Sequence, residues 1–110
     1  MNFDVTVTRE SRFVRVRVVG AGGAPRLLSL LQVMEVDCRT WPQSGVLLDL
    51  RELEPALPAE EEAQIAAAAA FAFAPLRRIA ILTLPGATHD AGRVRAFANE
   101  AEAVAWLTAT

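Results

Sequence analysis

The sequence predicts a single α/β domain spanning residues 1–110, and three observations carry that expectation. Val46-Leu-Leu-Asp-Leu-Arg-Glu-Leu53 opens on an apolar run that stops at an aspartate, and Ile79–Leu84 is apolar apart from Thr83; both are of strand length. A helical stretch separates them, which is the order of a right-handed parallel βαβ unit. Strictly alternating residues open the chain, which is the pattern of an antiparallel hairpin. The length of 110 residues suits one core. No internal repeat or linker divides it.

The hairpin comes first. Phe3, Val5 and Val7 alternate with Asp4, Thr6 and Thr8, giving a half-buried strand. Val14, Val16 and Val18 alternate with Arg15 and Arg17, giving a second. A turn at Arg9–Glu10 would set Val5 opposite Val14, Phe3 opposite Val16 and Asp4 opposite Arg15, apolar on one face and charged on the other. Arg9, Arg12, Arg15 and Arg17 form either a basic patch or, as preferred here, a solvated strand face with a cross-strand ion pair. Gly20-Ala-Gly-Gly-Ala-Pro25 follows. It fails as a phosphate loop, because Pro25 has no N–H and no lysine follows. It reads as a turn with Pro25 at the first helical position.

Leu27, Leu30, Leu31, Met34 and Cys38 recur at helical spacing, so roughly Pro25–Arg39 is an amphipathic helix with Cys38 in its core stripe. Trp41–Gly45 turns the chain into the buried strand Val46–Leu50. The acid at Asp49 then marks its carboxyl end, where open α/β sheets bind ligands. Pro55 and Pro58 lead into the next helix, and Glu60, Glu61 and Glu62 crowd its positive end. Three adjacent carboxylates point around a helix, so no metal is expected there. Ile65, Ala69, Ala72 and Phe73 or Leu76 supply the apolar stripe, with Phe71 off it. Pro75 stops the helix, with Arg77–Arg78 beyond its carbonyl end. After Ile79–Leu84, the link through His89 is too short for a covering helix. Val94–Phe97 is a short strand candidate. Asn99 with Glu102 reads as the capping box of a last helix, docked by Val104 and Leu107 with Trp106 on another side.

Composition narrows function. Hydrophobic residues make up 53%, every cation is arginine and the net charge is −2, so nucleic acid is not an expected partner. The single cysteine excludes an internal disulfide. No apolar run reaches membrane-spanning length, and Met1–Thr8 does not resemble a secretory signal. An enzymatic site built from Asp49, Arg51, His89 and Asp90 lacks a nucleophile and a metal-spaced set, so no catalytic residue is assigned and no cofactor is expected.

Three stretches resemble the SpoIIAA-like or STAS-like families, which are related to anti-sigma-factor antagonists. They are the hairpin followed by a helix, the run Val46–Leu53, and the tail Val94–Leu107. The resemblance implies a small bacterial cytoplasmic domain with a mixed four- or five-stranded sheet, helices against it, and a C-terminal helix. Anti-sigma antagonists carry Asp-Ser-Ser-Gly after the central strand, with a phosphorylated serine. Here that position falls on Leu57-Pro58-Ala59-Glu60, without a hydroxyl. The resemblance therefore implies a non-catalytic protein–protein interaction or regulatory module without the phosphoswitch. Its expected docking loop comprises Asp49, Arg51, Glu54, Leu57, Ala59 and Glu60. The alternative is a small hydrophobic ligand or lipid, held in a pocket near Phe71, Phe73, His89 and Trp106. Phe71 or Trp106 is also the expected contact of a homodimer.

Overall fold

The computed structural model describes residues 3–20, 23–54, 57–83, 90–91 and 93–109. In chain order it contains β1 (Phe3–Arg9), β2 (Val14–Gly20), α1 (Gly23–Asp37), a 3-10 turn (Cys38–Thr40), β3 (Gly45–Leu53), α2 (Ala59–Ala72), β4 (Arg78–Leu82), β5 (Asp90–Ala91), β6 (Val94–Phe97) and α3 (Glu100–Thr108). The sheet order is β1-β2-β3-β4-β6-β5. β1 is antiparallel to β2, whereas β2, β3, β4 and β6 are mutually parallel. β5 adds a two-residue antiparallel step to β6. Val94–Phe97 thus joins the sheet, which is mixed and has five full strands.

Strands β2, β3 and β4 are laid down in one direction across the sheet. Right-handed crossovers then put α1 and α2 on the same face. That face holds the main core. Val14, Val16 and Val18, Val46, Leu48 and Leu50, and Ile79 and Ile81 pack against Leu27, Leu31 and Met34 of α1 and Ile65, Ala66, Ala69 and Ala72 of α2. The alanines of α2 let that helix lie close to its neighbours, and Trp41 stacks on Phe73 beneath it, ring centroids 6.0 Å apart. The opposite face carries a smaller core, in which Leu47, Ala80 and Leu82 meet Phe13, Ala103 and Leu107. A Cβ on Gly45 would come within 3.2 Å of Leu107 Cδ2 and 3.4 Å of the Arg78 carbonyl, so a residue without one lets α3 settle here.

Four sequence expectations are corrected. The hairpin register is shifted by four residues: Val5 faces Val18, Val7 faces Val16 and Asp4 faces Val19. The turn lies two residues later, closed by the Glu10 amide donating to the Phe13 carbonyl at 2.9 Å. A shift of four keeps every side chain on its expected face, so patterning alone does not reveal it. β1 is not half-buried: Asp4–Thr8 are all exposed. α1 begins at Gly23 (φ 70), with Pro25 in its first turn. Lastly, Arg77–Arg78 do not close α2. Arg93 does, its guanidinium donating to the carbonyls of Ala70, Phe73 (3.2 Å) and Leu76 (3.1 Å). Arg78 instead serves the end of α3, donating to the carbonyls of Trp106 and Ala109.

Candidate functional site

β3 carries the site. Its core-facing residues are Leu48, Leu50 and then Leu53, a spacing of two followed by a spacing of three. The pairing with β2 shows the same irregularity: Arg17 faces Asp49, whereas Val19 faces Glu52. One extra residue on β3 is a bulge. It carries Glu52 round to the α3 side, beside Asp49 and Arg17, while returning Leu53 to the main core. The strand therefore runs past Asp49 to Leu53 instead of ending at the acid.

α3 packs over β4, β6 and the first residues of β3, so the carboxyl end of β3 and the neighbouring part of β2 stay open. Arg15, Arg17, Asp49, Arg51, Glu52 and Glu100 line an open cleft of about 540 Å³ there. Asp49 is 4% exposed. Arg51 holds it with two guanidinium hydrogen bonds, 3.1 Å to Oδ1 and 3.0 Å to Oδ2, and its own amide donates to Oδ1 at 3.1 Å. The same guanidinium reaches Glu100 at 2.9 Å. Glu100 in turn forms an ion pair with Arg15 at 3.1 Å, and Arg15 donates to Glu10 at 3.4 Å. Arg17 and Glu52 form a separate, more exposed pair. Asn99 fixes Glu100 by capping α3, its Oδ1 accepting from the Glu102 amide at 3.1 Å.

Burial pushes the Asp49 carboxyl up, but the Arg51 hydrogen bonds and the charges of Arg51 and Arg17 outweigh it and hold the group below the usual carboxylate value. Asp49 is therefore a fixed anion and a poor proton donor or acceptor near neutrality. Cys38 is buried in the other core, within 3.4 Å of the carbonyls of Glu35 and Ala72. Burial raises its pKa above the ordinary thiol value, which disfavours a thiolate. Among the described residues, no group of three His, Cys, Asp or Glu side chains is placed to hold a metal ion.

The expected docking loop is divided by the sheet. Asp49 and Arg51 come together on the α3 side. Leu57 is half-buried against the α1/α2 core, with Ala59 and Glu60 exposed at the start of α2. Glu54 is exposed, its amide closing the end of β3 on the Gly20 carbonyl at 2.9 Å. The catalytic alternative also divides. Asp90 sits on β5, three strands from β3, a backbone separation of about 14 Å, and His89 lies outside the described residues. Phe73 is buried and offers no pocket wall. Trp106 is half-buried, tilted on Phe97 at 5.6 Å and flanked by Arg78 and Arg95. It covers β6 instead of standing free. Phe71 is 76% exposed. It borders an open groove of about 210 Å³ with Glu35, Arg39, Ala72, Ala74 and Pro75.

Glu100 escaped the sequence reading. The cap at Asn99 places Glu100 at a helix start, but only the docking of α3 brings it to Arg15 and Arg51.

An antiparallel hairpin, parallel strands carrying two helices on one face, and a closing helix on the other define a SpoIIAA-like α/β fold. Among solved structures the chain is similar to an uncharacterized protein of the DUF3478 family with a SpoIIAA-like fold from Shewanella loihica PV-4. The TM-score is 0.54 with 15% identity, over 96% of this chain and 93% of that one. No protein-family model matches the sequence, and no curated protein matches it. Among the described residues, no helix is long and apolar enough to cross a membrane.

Proposed function

We propose that the domain is a non-catalytic docking module for another protein, and that its partner surface is the charged, open half of the α3-side sheet face. The carrying observation is the cleft itself. Among the described residues its lining is three arginines and three carboxylates, with no hydroxyl, thiol or imidazole to act as nucleophile. Asp49 is held ionised, which fits a positioned charge better than an acid or base. The exposed pair Arg17–Glu52 presents one cation and one anion side by side, which suits a partner offering the reverse arrangement. Such matching gives specificity and a salt-dependent association rate. A switch by phosphorylation does not fit Leu57–Glu60, which has no hydroxyl. A small apolar ligand is less well supported. The groove at Phe71 is open and smaller than the roughly 300–1,000 Å³ of usual ligand sites.

The test is a charge swap. Arg17→Glu with Glu52→Arg keeps the internal pair but inverts its polarity. Immobilised wild type should recover a defined protein from host lysate at low salt, lose it at high salt, and lose it in the swap. Recovery of the same protein by the swapped variant, or no selective recovery by wild type, would overturn the reading.

A further inference from the structure

β1 ends the sheet, and among the described residues its outer edge pairs with nothing. Sheets normally blunt such an edge with lysine, proline, a bulge or a covering helix. Phe3–Arg9 contains no lysine or proline, and its register against β2 runs unbroken over the whole strand. Val5 and Val7 stand 36% and 43% exposed on the helix side.

The hairpin fixes which backbone groups face outward. The Glu10 amide donates to the Phe13 carbonyl. Antiparallel pairs alternate along the ladder, so Asp4, Thr6 and Thr8 turn their N–H and C=O toward β2. Phe3, Val5, Val7 and Arg9 turn theirs to the free edge. A second copy laid antiparallel about a two-fold axis at Thr6 sets Val5 against Val7, Thr6 against Thr6 and Asp4 against Thr8. Outward-facing residues then meet outward-facing residues, so Val5 and Val7 exchange hydrogen bonds in both directions. Valines fall on one face and hydroxyls on the other. A slip of one residue breaks both matches at once.

We propose that β1 is a homodimer interface through which two copies form one continuous sheet, with Val5 and Val7 of each copy making an apolar strip on the helix side. The two-fold axis is perpendicular to the sheet, so both charged clefts open on the same surface and remain accessible. The proposal does not rest on the docking reading, whose cleft lies on the other face. One strand pair with two valines a side is at the small end of specific interfaces, so micromolar association is expected.

Sedimentation equilibrium should show the mass rising from 11.9 kDa to twice that value across the micromolar range. Val7→Pro removes an outward N–H but no bond to β2, and edge strands accept proline. It should remain folded by circular dichroism and be monomeric. Thr6→Cys places two thiols across the axis at a Cα separation of about 4.5 Å, within disulfide reach. It should cross-link on mild oxidation, whereas Asp4→Cys, offset along the strand from its copy, should not. Buried Cys38 is the only native cysteine. A mass fixed at 11.9 kDa, a dimer unaffected by Val7→Pro, or Thr6→Cys linking no faster than Asp4→Cys would each overturn the proposal.

Discussion

The two faces of the sheet are built differently. On the α1/α2 side, valines and leucines of four parallel strands meet two helices in a continuous apolar layer. On the α3 side, a short helix covers a few residues and leaves charged side chains of β2 and β3 in the open. The same strands serve both faces, so the contrast is written in alternate residues: Leu48 and Leu50 point one way, Leu47 and Asp49 the other. One face specifies the fold, and the other has room to carry a recognition surface, because its covering helix contributes less burial.

Substitutions measure that contrast. Leu48→Ala should cost about 4 kcal/mol, in the upper part of the range for buried leucines, and Leu107→Ala at the rim of the small core nearer 2 kcal/mol. Urea midpoints of the two variants compare them directly, and equal losses would erase the distinction between the faces. Asp49→Ala comes next. Deleting one partner of a well-buried ion pair can cost 3–5 kcal/mol, but Arg51 is partly exposed and keeps Glu100, so about 2 kcal/mol is expected.

Acid should act through the same residue. The folded carboxyl of Asp49 lies below its ordinary value. Its stabilisation is therefore complete above the unfolded value near 3.9 and is lost as pH falls through the lower, folded value. Between neutral pH and that window, wild type should hold its advantage over Asp49→Asn. Further into acid the two should converge in urea midpoint, and a constant difference would show that Asp49 contributes no proton-linked stability. The smallest effect belongs to the exposed pair. Arg17→Ala should change stability by less than about 0.5 kcal/mol, so any strong loss of partner binding in that variant would be a surface effect.

Much of this was legible in the sequence. Alternation of Val14, Val16 and Val18, the runs at Val46 and Ile79, the helical spacing from Leu27, and the cap at Asn99 are local patterns, and local patterns set element type. The hairpin register was not legible, because Ser11–Arg12 carries no glycine or asparagine to mark the turn. The bulge in β3 was hidden because Leu50 and Leu53 fit a strand end as well as a shifted strand. Arg93 closes a helix that ends some twenty residues earlier, and Glu100 meets Arg51 across half the chain. Such pairings depend on how elements dock, which no window of sequence records. Asp49 and Arg51 were found because they are two residues apart on one strand. Leu57, Ala59 and Glu60 were grouped with them because the resemblance sets the docking loop directly after this strand, although the sheet separates them.

The placement of the two tryptophans has a practical consequence. Trp41 stacks on Phe73 inside the large core, while Trp106 sits among Phe97, Arg78 and Arg95 beneath α3. Each face thus contains one intrinsic fluorophore. Single tryptophan-to-phenylalanine variants would let emission from one indole at a time follow unfolding. Coincident curves would mark one cooperative unit, and an earlier transition at Trp106 would mark the loosening of α3 while the main layer is still intact.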